Sequence, residues 1–113
     1  MSLRLPRGLA ATDRSGAFDA LQYEILQETA ATLARLGRRA EASLASLASY
    51  DAAHPAAGAA DAEREACVSA AAEAMWYYAV QREVLGFGDT EGLLRELRVP
   101  REVRLRMGVL RPR

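Results

Sequence analysis

From Ala17 to Ala52 the chain contains no proline, and its apolar residues recur every three or four positions. Phe18, Leu21, Ile25 and Leu26 lead into Leu33, Leu36, Ala40, Leu44 and Leu47, which is the spacing of one face of an α-helix. A single helix over these thirty-six residues would be roughly 54 Å long at 1.5 Å per residue. A compact domain of this size has a radius of gyration of only about 13 Å. The chain is therefore elongated, associated with another molecule, or broken at Gly37-Arg38-Arg39. Gly37 costs about 1 kcal/mol relative to alanine in a helix interior, so it marks a bend or admits the close approach of another helix.

The remaining segments read as shorter pieces around this one. Residues 1–15 include Pro6 and Gly8 and show no sustained period, which suggests an irregular arm with Ser15 as a helix cap. Ala52 to Ala60, interrupted by Pro55 and Gly58, reads as a loop. Asp61 then opens a second helix, with Glu63 and Glu65 suited to its positive end, running to Leu85 and stopped by Gly86. Two long helices joined by a short loop give an antiparallel hairpin over residues 16–88. Ala30, Ala34, Ala66, Ala70 and Ala74 are the small residues expected to let the two backbones approach. Within 89–113, Asp89 or Thr90 caps a short helix ending near Arg98, and Pro100 starts another that Gly108 ends, leaving Val109 to Arg113 as a frayed tail.

Composition bounds the rest. A chain of 113 residues is expected to be one domain. The single cysteine, Cys67, rules out an intrachain disulfide and fits a reducing cytoplasm. Residues 1–16 lack the apolar run of a signal peptide, and no apolar run is long enough to span a membrane. Lysine and asparagine are absent while alanine and arginine abound. That pattern looks like a coding bias and discounts arguments from arginine alone. Charge is nevertheless segregated: residues 1–14 carry +2, residues 15–92 carry −7 and residues 93–113 carry +5. A basic end on an acidic body favours docking of the two onto each other.

Chemistry-bearing patterns are sparse. His54 and Cys67 are far apart in sequence and surrounded by alanine, so a surface histidine and a small core cysteine are the simpler reading than a nucleophilic dyad. Glu24 and Glu28, like Asp61 and Glu65, are one turn apart, but no Glu-x-x-His partner accompanies them. No phosphate loop, dinucleotide fingerprint or nucleophile elbow occurs. Catalytic residues, metal ligands and cofactors are accordingly not expected, and an enzyme is the weaker class.

Three surfaces remain. Trp76, Tyr77 and Tyr78 point about 100° apart around one helix, so a hairpin cannot bury all of them. Trp76, Tyr77, Val80, Val84 and Phe87 are the candidate subunit interface. The same rings, with Gln81, Arg82 and Glu83, could instead line a small-ligand pocket near Tyr77 and Tyr78. Arg101, Arg104 and Arg106 form a candidate anion or nucleic-acid contact, although base-reading amides and interleaved aromatics are missing.

The segments Trp76-Tyr-Tyr…Gln81-Arg-Glu…Gly86 and Val99-Pro-Arg-Glu-Val…Arg106-Met-Gly108 resemble a family of small helical proteobacterial proteins known only as a domain of unknown function. The resemblance covers about a third of the chain and implies a helical fold with no assigned activity. The expectation is thus an all-α protein, a long antiparallel helical hairpin plus two short C-terminal helices, completed as a bundle by dimerisation. It would act as a cytoplasmic, non-enzymatic interaction or assembly homodimer. A nucleic-acid-binding accessory role or a ligand-binding bundle are the alternatives, and another protein partner stays possible.

Overall fold

The computed structural model describes residues 7–110, with side-chain surroundings from 14 to 108. Four helices follow in order: α1 (Arg7–Ala53), α2 (Ala62–Val84), α3 (Thr90–Glu96) and α4 (Arg101–Leu110). No strand occurs among the described residues, and the fold is all-α. The chain divides into two compact units, one up to Thr32 and one from Leu33 onward.

Helix α1 corrects the expected arm over 1–15. The chain is helical from Arg7, so Ser15 and Gly16 lie inside the helix and Ser15 is not its cap. Two isolated glycines, at about 1 kcal/mol each, do not outweigh the alanines and leucine that surround them. Residues 1–6 lie outside the described residues. The helix also continues through Gly37, which excludes the break and leaves close approach as that glycine's role.

The α1–α2 connection is the loop read from the sequence, and Asp61 is the N-cap of α2. Its carboxylate accepts from the Arg64 backbone N–H at 2.9 Å. Gly86, at φ 87°, ends the helix: its own N–H donates to Glu83 O, and the Phe87 N–H donates to Arg82 O, the paired bonds of a Schellman cap. Asp89 caps α3 by accepting from the Gly92 N–H at 3.0 Å. Helix α3 closes with the same paired bonds around Arg98, which holds φ 53° without being glycine. Pro100 lies just ahead of α4, its carbonyl accepting from the Arg104 N–H. Gly108 does not stop α4, which runs on to Leu110; residues 111–113 lie outside the described residues.

The core belongs to the unit from Leu33 onward. Ala40 and Leu47 of α1 meet Val68, Ala71, Ala72, Ala74, Met75 and Ala79 of α2, Leu93 and Leu94 of α3, and Val99, Val103 and Met107 around α4. Val68, Ala71, Ala72, Met75 and Ala79 form one stripe of α2 at helical spacing. Its small alanines matter most against α4, with which α2 makes its most extensive close backbone contacts. This corrects the expected alanine seam. Ala30, Ala34, Ala66 and Ala70 are exposed and only Ala74 is buried, because Ala66 and Ala70 lie on the side of α2 opposite the stripe.

Candidate functional site

The hairpin turn carries a dense polar cluster. The Tyr50 hydroxyl donates to both carboxylate oxygens of Asp61 at 2.8 Å, tying the last turn of α1 to the cap of α2. That bond, reinforced by partial burial and the Asp61 charge, pushes the phenol up to about 12. Asp61 is held below the usual carboxylate range, first by the Arg64 backbone N–H and then by Tyr50. The Tyr50 ring stacks on His54 at 4.1 Å between centroids, and His54 Nδ1 lies 3.0 Å from the Tyr50 carbonyl oxygen.

Arg64 joins three helices. Its Nε donates to Asp51 at 2.7 Å, and its two terminal nitrogens reach both carboxylate oxygens of Glu102 on α4. Both carboxyls are lowered mainly by these bonds. Arg106 pairs in the same forked way with Glu65 and also donates to Ser69 at 3.1 Å. These forked pairs fasten α4 to α1 and α2. Cys67 is half-buried, and the His54 ring nitrogen nearest the backbone faces a carbonyl. No cluster of His, Cys, Asp or Glu able to hold a metal occurs among the described residues.

The candidate anion contact is divided by these pairs. Arg104 reaches Glu91 at 2.6 Å and Arg106 is spent on Glu65, while Arg101 is exposed. Arg104 and Arg106 therefore bind α4 to acidic residues of α3 and α2, and the three arginines do not form one row of free guanidinium groups.

The aromatic run is also divided. Tyr78 packs on the core with its ring against Gly37, and the Arg82 guanidinium lies over both the Tyr78 and Phe87 rings at 5.8 and 5.4 Å. Trp76 and Val80 are half-buried and line a cavity of about 230 Å³ with Glu83, Thr90, Leu94 and Arg104. Tyr77, Val84 and Phe87 remain exposed. A larger open groove of about 680 Å³ lies between Leu44, Leu47, Leu97 and Pro100, rimmed by Glu41, Asp51, Glu96 and Arg98. Neither space is lined by Tyr77, Tyr78 or Gln81, where the ligand alternative expects one.

A row of exposed apolar side chains lies where the sequence pattern predicts only the lead-in to a hairpin core. Phe18, Leu21, Ile25 and Leu26 of α1 are between 56% and 67% exposed. Phe18, Leu21 and Ile25 step by three and four and so share one helix face. The signal is present in the sequence as an unbroken apolar period.

No helix among the described residues is long and apolar enough to cross a membrane. No curated protein and no solved structure matches the chain. The family model described as "Family of unknown function (DUF6665)" matches residues 1–112, far more than the third of the chain that carries the resemblance in sequence. The chain belongs to that family.

Proposed function

We propose that this protein is a non-enzymatic helical assembly protein that acts as a homodimer. The observation that carries this reading is the exposed row Phe18, Leu21 and Ile25, with Leu26 beside it, on α1. Helices in proteins gain most of their stability from packing an apolar face, and contiguous exposed apolar patches mark interaction sites. Tyr77, Val84 and Phe87 supply a second apolar surface in the other unit, with Trp76 and Val80 at its half-buried margin. The competing nucleic-acid reading loses Arg104 and Arg106 to Glu91 and Glu65.

The test is solution mass by light scattering behind size exclusion, at low and high salt. The expected result is a dimer at both, since apolar association is not screened. A Phe18→Ser/Ile25→Ser variant should elute as a folded monomer. A native protein that is monomeric at tens of micromolar would overturn the reading.

A further inference from the structure

Arg82 carries a charge that the described residues leave unanswered. Arg39, Arg64, Arg104 and Arg106 each meet a carboxylate. Arg82 has no ion pair among the described residues, and its Nε is buried without a hydrogen-bond partner. Its position on α2 accounts for the burial: it follows Met75 by seven residues and Ala79 by three, so it continues the core-facing stripe past its last buried member. The acidic residues close to it in sequence are engaged elsewhere. Glu83 accepts from the Thr90 hydroxyl at 2.7 Å, and Asp89 accepts from the Gly92 N–H at 3.0 Å.

We propose that Arg82, with Tyr78 and Phe87, is a binding site for a small ligand that joins a carboxylate or phosphate group to an apolar body. The guanidinium carbon lies over the Tyr78 ring at 5.8 Å and over the Phe87 ring at 5.4 Å. Two ring faces answer the charge in part and fix the plane of the group. They do not satisfy its fork of N–H donors, which matches the paired oxygens of a carboxylate or phosphate.

The end of α2 builds this arrangement. Gly86, at φ 87°, turns the chain back, and the Phe87 N–H donates to the Arg82 carbonyl oxygen at 3.0 Å, which brings that ring beside the guanidinium. Phe87 is 58% exposed and Leu85 37%, so an apolar body has a surface to lie on. Arg82 itself is half-buried, and an anion that reaches it is less screened than at an exposed arginine. Every group involved belongs to the unit from Leu33 onward, so the site is complete in one chain and independent of association.

Nuclear magnetic resonance titration of the isotope-labelled full chain with benzoate and with phenyl phosphate tests the site. The Arg82 Nε–H resonance, identified by its loss in Arg82→Gln, should shift saturably with a midpoint on the order of 1 mM for at least one of the two. Whichever binds more tightly assigns the site to carboxylates or to phosphate esters. Benzyl alcohol, which keeps the ring and lacks the anion, should give no saturable shift. Arg82→Gln should be no less stable than the native chain, because it removes a partly buried unpaired charge, and should bind about tenfold more weakly as read on the Phe87 amide. Phe87→Ala retains the charge and should weaken benzoate several-fold while leaving acetate unchanged. An Arg82 Nε–H that responds to neither anion at tens of millimolar would overturn the proposal. So would benzyl alcohol binding as tightly as benzoate, or anion binding that survives Arg82→Gln undiminished.

Discussion

The Tyr78 ring lies against the bare Cα of Gly37: a methyl group there would sit 3.1 Å from Cζ and 3.2 Å from the hydroxyl oxygen. That distance is tighter than ordinary van der Waals contact, so the ring must yield slightly before any side chain fits. Tyr78 is itself restrained, since Arg82 stacks on its face. The glycine that weakens α1 thereby lets an aromatic of α2 close the packing above Ala40.

This predicts a coupling between the two positions. Alanine at a helix-interior glycine gains about 1 kcal/mol, and the crowded ring opposes that gain. Gly37→Ala should therefore leave the folding free energy nearly unchanged in the native sequence, but stabilise by about 1 kcal/mol when Tyr78→Ala has removed the ring. Denaturant unfolding of the four proteins checks it, and equal effects in both backgrounds would refute the contact.

The Tyr50–Asp61 bond makes a prediction about titration. Asp61 raises the phenol to about 12, so the folded chain holds that proton more tightly than the unfolded one. The stability it contributes is complete below the ordinary tyrosine value of about 10 and is lost as pH rises from there through the folded value. Ultraviolet titration of tyrosinate should show one of the four tyrosines ionising last, and Tyr50→Phe or Asp61→Asn should abolish that late step. Asp51, Asp61, Glu65 and Glu102 shift the opposite way, downward. Their contribution is present above the ordinary carboxylate range of about 4 and is lost as pH falls below it, so the hairpin–α4 junction should loosen in acid first. Hydrogen exchange of α4 amides at pH 3, compared with neutral pH, measures that.

Most of this architecture is legible in the amino-acid sequence. Asp61, Gly86 and Asp89 are boundary residues whose chemistry is local, and each acts where its type predicts. The arm over residues 7–15 and the stop at Gly108 fail for a shared reason: isolated glycines and a missing period are weak local signals, and a helix already nucleated runs through them. The facing alanines fail because a residue type shows that close approach is possible without showing which neighbour approaches. On α2 that neighbour is α4. The exposed row on α1 is visible as a period, but whether the chain itself covers a period is a tertiary fact.

Two left-handed residues that are not glycine offer contrasting changes. Arg98 holds φ 53° at the end of α3 and is exposed, with no ion pair among the described residues. Arg98→Gly should stabilise the fold by about 0.5–1 kcal/mol, because glycine occupies that region without the Cβ clash. Asp89 holds φ 48° while capping Gly92, and an added Cβ on Gly92 would come within 2.2 Å of its carboxylate. Asp89→Ala should cost about 2 kcal/mol by losing both the cap and the tolerance of that conformation, whereas Asp89→Asn should be nearly neutral. Thermal unfolding of the three variants distinguishes these outcomes.

Core and interface can be separated by concentration. Met75 is fully buried in the chain's own core, so Met75→Ala should lower the unfolding free energy by about 2–5 kcal/mol whatever the protein concentration. Ile25 is 56% exposed in the single chain, so Ile25→Ala should remove little from the monomer. Its cost should appear only where the dimer is populated, because association stabilises the folded state by mass action. Chemical unfolding of the native protein should therefore shift to higher denaturant as concentration rises, and Ile25→Ala should flatten that dependence while Met75→Ala displaces the whole series downward. An Ile25→Ala protein destabilised equally at nanomolar and high micromolar concentration would place Ile25 in an intrachain core and remove it from any contact between copies.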